Sequence, residues 1–243
     1  MVTAYGLGLV RGGTIASRKT LKMPTLPQYT LWLGIAVIEI LALYIAIRCG
    51  QTRRFWDLCV YFGLASAASL SRYVVLQYNG FMSREYAYFY YYTDAILTLS
   101  MFLVAARLFG HVFNLRTWNG IPLRLAIPGM MCVALFSYAT VPEVQSRLLT
   151  HFIVQLSQNL YFAILILTTA GWIGTLVKKL RASAEVKLLW VFTIYVVMLV
   201  AAYFERNFHP AAYLYAMVLP QLAGLWFAAG SAFAVVFDDW QVA

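Results

Sequence analysis

Seven long apolar stretches, separated by short polar connections, run along the chain. They cover residues 29–48, 55–78, 86–108, 122–140, 149–177, 186–204 and 211–237. A helix needs roughly 20 apolar residues to cross the hydrocarbon core of a bilayer, so each stretch predicts one transmembrane helix. The fourth is the least regular: Pro128 interrupts it, and Pro122 and Pro142 flank it. Proline is tolerated in membrane helices whose neighbours restore the lost backbone bonds. No connection is long enough to fold by itself. The pattern predicts an all-α, polytopic seven-helix bundle over residues 29–237, with a flexible N-terminal tail over 1–28 and a short tail over 238–243.

Composition narrows the class. Of the 243 residues, 63% are hydrophobic and only 11% charged, and the mean hydropathy is +0.74. Soluble domains run near 45–50% apolar and about 25% charged, so an ordinary water-soluble globule is excluded. The same figures exclude intrinsic disorder, and the 3 cysteines are too few for a secreted disulfide scaffold.

The charge balance, 18 basic residues against 9 acidic, would raise nucleic acid as a partner in a soluble protein. Here the basic residues lie between apolar stretches and are not interleaved with aromatics, so nucleic acid is not expected. Instead they orient the bundle. The connections after the first, third and fifth stretches carry Arg48, Arg53, Arg54, Arg107, Arg116, Arg124, Lys178, Lys179, Arg181 and Lys187, against Arg84, Arg147 and Arg206 in the other three. The positive-inside rule then puts the N-terminus outside and the C-terminus in the cytoplasm of a bacterial inner membrane. The thiols agree: Cys49 and Cys59 fall near cytoplasmic ends, where they stay reduced, and no outer connection holds a cysteine. The first 22 residues add Arg11, Arg18, Lys19 and Lys22 on the wrong side, and Met23 offers an alternative start.

Ionisable groups at membrane depth are costly and mark functional positions. Glu39 falls near mid-membrane, while Arg72 and Asp94 fall in the outer half of two stretches that a short connection makes antiparallel neighbours. An Arg72–Asp94 ion pair is expected, with Glu39 as a possible third member. A structural pair that fixes helix register and a ligand or proton site are both compatible with it.

The fifth stretch opens with His151, Gln155, Gln158 and Asn159. Steps of four place His151, Gln155 and Asn159 on one helical face, with Gln158 adjoining. Gln221 in the last stretch reaches comparable depth. Together these predict an outward polar pocket among the first, second, third, fifth and seventh helices, or else interhelical hydrogen bonding of the kind amides provide in membranes. The third stretch opens with Tyr86, Tyr88, Phe89, Tyr90, Tyr91 and Tyr92. Consecutive positions point all round a helix, so beyond an interfacial belt some of these rings are expected to face Asp94. A His151–His209–Glu205 metal site can be drawn across the outer rim, but the spacing does not require it.

Several membrane chemistries lack their residues. A retinal Schiff base needs a lysine in the last stretch, and none is there. A b-type haem needs facing histidines within the spans, whereas His111, His151 and His209 lie at or near span ends. No zinc-hydrolase pattern occurs, and Gly63-Leu64-Ala65-Ser66 is too ordinary in membrane helices to mark a serine protease. Pro27-Gln28 and Pro220-Gln221 do not occupy equivalent places in two repeats, as proline–glutamine sugar transporters would require. No catalytic residue, metal or cofactor is expected.

Tyr29-Thr30-Leu31-Trp32, Tyr88-Phe89-Tyr90-Tyr91-Tyr92 with Asp94-Ala95, and Phe109-Gly110-His111-Val112-Phe113 resemble a group of acidobacterial seven-span membrane proteins. The resemblance covers mainly the first half of the chain, implies the seven-span architecture and brings no activity. In that group the acidic position after the tyrosine run is typically Glu, so Asp94 is a conservative departure. The leading expectation is a non-enzymatic, sensor-like or accessory binding bundle. Its partners would be the bilayer and a membrane protein reached through the cytoplasmic loops or helix faces. A small-solute or proton-coupled transporter using Glu39 and Asp94, and a structural subunit of a larger complex, are the alternatives.

Overall fold

A computed structural model describes residues 26–80, 83–113, 121–140, 148–178, 183–208 and 213–239. The N-terminal tail with Met23, the residues after Asp239 and His209 lie outside them. Among the described residues the protein is all-helical. Its helices are α1 (Leu26–Arg48), α2 (Trp56–Asn79), α3 (Arg84–Val112), α4 (Ile121–Thr140), α5 (Leu148–Val177), α6 (Ala184–Phe208) and α7 (Tyr213–Asp239), with a 3-10 turn at Gln51–Arg53. They stand where the seven apolar stretches predict helices, with ends shifted by a few residues. Five of them, α1, α2, α3, α5 and α6, hold described segments long and apolar enough to cross a membrane. The corresponding apolar segments of α4 and α7, Ala126–Thr140 and Val218–Ala234, are shorter.

Two turns set the antiparallel reversals at the start of the chain. Gly50, after α1, and Gly80, after α2, have φ of 68° and 77°, a region glycine enters without a steric penalty. Ser83 then starts α3: its hydroxyl accepts the Tyr86 amide at 3.0 Å, and Glu85 in the first turn complements the helix dipole. We call the two ends of the bundle the Gly50 end and the Gly80 end.

Packing runs round a ring, α1 to α2, α2 to α3, α3 to α5, α5 to α6, α6 to α7 and α7 back to α1, while α4 lies against α3 and α5. α3 also reaches across to α6 and is the most enclosed helix. The core is apolar and aromatic, built on Phe62, Met101, Leu160, Ile164, Phe192 and Phe227. Outward faces are apolar too: Val37, Ile40 and Leu41 on α1, Met131, Leu135 and Phe136 on α4, and Ile166 and Ile173 on α5 are exposed. Water would penalise such surfaces, whereas lipid does not.

Small residues permit the closest approaches. A Cβ on Gly230 of α7 would lie 2.6 Å from Val191 Cγ1 of α6, and one on Gly174 of α5 would lie 2.8 Å from Val112 Cγ1 of α3.

Candidate functional site

Asp94 lies about three turns into α3 from the Gly80 end, roughly 15 Å along the helix axis at 1.5 Å per residue. Its surroundings form a cavity of about 120 Å³. Tyr90 and Tyr91 line it from α3, and Ser157, Gln158 and Tyr161 from α5. Leu199 and Ala202 of α6 and Pro220 of α7 complete the wall. The cavity thus lies among α3, α5, α6 and α7, and not among the first, second, third, fifth and seventh helices as the sequence suggested.

Arg72, expected beside Asp94, bonds to two neighbouring groups of α3. Arg72 Nε donates to Thr93 Oγ1 at 2.7 Å and Nη2 to the Tyr90 carbonyl at 3.1 Å, with the guanidinium 4.2 Å from the centroid of the Tyr90 ring. Asp94 is about 100° round the helix from Thr93, which turns it from α2 toward α5. There the Tyr161 hydroxyl donates to Asp94 Oδ1 at 3.5 Å. Arg72 therefore fixes the opening turns of α3 against α2 and steadies one aromatic wall of the cavity.

The polar stripe on α5 divides in the same way. Asn159 Nδ2 donates to Ser137 Oγ of α4 at 2.9 Å, and Gln155 Nε2 to Asn159 Oδ1 at 3.5 Å. These two amides join helices. Gln158, about 100° from Asn159 round the helix, lines the cavity instead, and its Nε2 is buried with no hydrogen-bond partner. Gln221 is next to the cavity residue Pro220, and its Oε1 is likewise buried without a partner. Buried polar atoms are rarely left unsatisfied, so the Gln158 amide in its wall distinguishes this cavity from ordinary core. His151 is half-buried at the start of α5 and does not line the cavity. Of the tyrosine run, Tyr88 and Tyr92 are exposed while Tyr90 and Tyr91 face the cavity. His209 and the Glu205 side chain lie outside the described residues, and among those described no His, Cys, Asp and Glu cluster could hold a metal.

Glu39 is buried in α1, 7% exposed, away from the cavity wall. The Ser66 hydroxyl of α2 donates to its Oε2 at 3.4 Å. Nearby, the hydroxyls of Tyr61 (α2) and Tyr195 (α6) are hydrogen bonded at 2.5 Å in the closed interior. Tyr61, Tyr161 and Tyr195 are not singled out by hydropathy. Their signal was a tyrosine inside an otherwise apolar run, whose hydroxyl must find a partner once buried.

A second polar cluster occupies the Gly50 end. Arg107 of α3 is hydrogen bonded to Asp57 of α2, both buried. Arg54 Nη2 meets Glu185 Oε1 of α6 at 2.6 Å, and His111 Nε2 of α3 lies 3.6 Å from Glu185 Oε2. Phe55, buried between them, has the Arg54 and Arg107 guanidinium carbons each 5.2 Å from its ring centroid. Lys178 Nζ donates to the Val112 carbonyl at 3.2 Å, satisfying one of the last carbonyls of α3. Arg54 and Arg107, which the sequence reading counted only as loop charges, are thus held by acids from other helices.

Fold and site define a class: a bundle, all-helical among the described residues, with helices long and apolar enough for a membrane and a cavity among them lined in part by polar side chains. No protein-family model, curated protein or solved structure matches the chain.

Proposed function

We propose that this is a multi-pass protein of a bacterial inner membrane that binds a small polar solute in the Asp94 cavity, as a sensor-like or accessory bundle. All seven helices cross the bilayer, with the Gly80 end outside and the Gly50 end in the cytoplasm. The excess of Lys and Arg in the connections at the Gly50 end supports that orientation.

One observation carries the binding reading: the carboxylate of Asp94 and the partnerless buried amide of Gln158 belong to the same cavity. A carboxylate accepts hydrogen bonds and an amide NH₂ donates them. A solute carrying both a donor and an acceptor would satisfy both groups, and Tyr90, Tyr91 and Tyr161 offer ring faces and hydroxyls beside them. The basic connections at the Gly50 end are suited to anionic headgroups or to a signalling partner.

The test is purification of the tagged protein from native membranes in mild detergent, with mass spectrometry of everything that co-elutes. A small polar molecule that accompanies the native protein, and is lost from Asp94→Asn at unchanged thermal stability, supports the reading. A stoichiometric protein partner with no small molecule would overturn it in favour of a structural subunit.

A further inference from the structure

At the Gly50 end the buried or half-buried acids are already engaged. Asp57 is taken by Arg107, and Glu185 by Arg54 with His111 beside it. The Lys178 ammonium is turned onto the Val112 carbonyl. Arg48, Arg53 and Lys187 have no acidic partner among the described residues.

Two of these three belong to one edge, the reversal between α1 and α2. Arg48 ends α1 and Arg53 stands in the 3-10 turn that follows, both exposed. The turn is folded back on α1: the Thr52 hydroxyl donates to the Ala46 carbonyl at 3.4 Å. Within it the Arg54 and Phe55 amides donate to the Gln51 carbonyl at 3.0 and 2.9 Å. Arg48 is held in place as well. Its Nε donates to the Tyr44 hydroxyl at 2.7 Å, and its guanidinium carbon lies 5.4 Å from the Tyr44 ring centroid. Both of its terminal Nη groups lack a partner among the described residues. Next to this edge the outward faces are apolar, with Tyr44 and Ile47 exposed on α1 and Trp56 and Val60 on α2.

We propose that the α1–α2 edge is a binding site for an anionic phospholipid, whose phosphate is held by Arg48 and Arg53. A guanidinium presents parallel N–H donors that match two oxygens of one phosphate, and the Nη pair of Arg48 has that fork available. Basic side chains beside a membrane surface attract anionic headgroups, and Trp56 and Tyr44 are of the type that sits at headgroup level. The apolar faces decide between occupants: acyl chains lie along Tyr44, Ile47, Trp56 and Val60, which a soluble phosphate would not cover. The site rests on the membrane reading above and narrows the anionic partner offered there to a lipid.

The experiment titrates phosphatidylglycerol, or phosphatidylcholine with the same chains, into the delipidated full chain in detergent and reads the bound fraction by native mass spectrometry. The native protein is expected to bind phosphatidylglycerol on the order of tenfold more tightly. Arg48→Gln and Arg53→Gln each lower that affinity about fivefold. Lys187→Gln removes the same charge from α6 and changes it by less than about twofold, because salt screens a charge outside the site. Melting temperature in detergent checks folding, and Arg53→Gln, which breaks no bond to another described side chain, carries the test should Arg48→Gln melt lower. Equal affinity for the two lipids overturns the site, as does a loss in Lys187→Gln as large as in Arg53→Gln. Displacement of the lipid by inorganic phosphate would assign the edge to a soluble anion instead. A protein that co-purifies with the native chain but not with Arg53→Gln, with no preference between lipids, would assign it to that partner. These outcomes are separable from the readings above: none bears on a solute that co-elutes with the Asp94 cavity, and a reversed orientation would move the lipid site to the other leaflet without abolishing the preference.

Discussion

Arg107 of α3 bonds to Asp57 in the first turn of the neighbouring α2, and the two charges neutralise each other where neither meets solvent freely. The pair fastens the Gly50 ends of α2 and α3 in register, as the Arg72 bonds to Thr93 and Tyr90 do nearer the Gly80 end.

Removing one member of this pair should be far more damaging than removing both. A single Arg107→Met leaves the Asp57 carboxylate buried and uncompensated, at a cost of about 3–5 kcal/mol. The double variant Asp57→Leu/Arg107→Met leaves no charge behind and should recover most of that loss. Thermal unfolding in detergent checks it. Equal losses in the single and double variants would mean that the two groups are not energetically coupled.

The neighbouring Arg54–Glu185 bond should contribute much less. Arg54 has a side chain 42% exposed, so solvent screens the interaction despite its short distance. Arg54→Gln should cost under about 1 kcal/mol, and the difference should shrink as salt is raised. A loss as large as that of Arg107→Met, and insensitive to salt, would contradict this assignment.

Most of the fold was legible because hydrophobic length is a strong and local signal. Apolar stretches of membrane-crossing length predicted seven helices, and the helix ends moved by only a few residues, as at Arg84-Glu85 and at Phe109–Val112. What could not be read was rotation about each helix axis. Asp94 and Thr93, or Gln158 and Asn159, are adjacent in sequence yet face different neighbours. Hydropathy does not distinguish their faces, since lipid and core are equally apolar. For the same reason depth alone did not reveal the bonds of Arg72 to Thr93 and the Tyr90 carbonyl. Asp57 was hidden by its place at a helix start, where an acid is an ordinary dipole partner, and Tyr61, Tyr161 and Tyr195 by the habit of counting tyrosine as apolar.

The α6–α7 contact makes a steric prediction. Trp226 Nε1 donates to the Val191 carbonyl at 3.2 Å, and one turn later Gly230 meets the Val191 side chain so closely that a Cβ would overlap it. Gly230→Ala should destabilise by about 1–3 kcal/mol through overpacking. Adding Val191→Ala should restore much of it by removing the Cγ atoms in the way. If Gly230→Ala melts like the native protein, the helices are not as close there as the geometry requires.

Orientation can be checked with thiols. Among the described residues Cys49 stands at the Gly50 end, Cys59 is buried and Cys132 is exposed on α4. On a background lacking Cys132, a membrane-impermeant maleimide applied to spheroplasts should not label Cys49 until the membrane is permeabilised. A cysteine placed by Asn79→Cys, next to the Gly80 turn, should label at once. The opposite pattern would reverse the orientation proposed above.

Gln158 gives the sharpest separation between a binding residue and a structural one. Its Nε2 is buried without a partner, so in the solute-free protein the amide is a cost that packing must offset. Gln158→Leu removes the orphan donor at similar volume. It should therefore leave stability unchanged or raise it by about 1 kcal/mol, where loss of a partnered amide would lower it. The same substitution removes the donor offered to a solute, so any molecule that co-purifies with the native protein should be lost or weakened. Asn159→Leu provides the contrast: it breaks the bond to Ser137 and should lower stability, by about 1 kcal/mol or less as interhelical bonds in membranes usually do, while leaving solute binding intact. Should Gln158→Leu destabilise as Asn159→Leu does, with no effect on what co-elutes, then the amide holds helices together and the cavity is not a binding site.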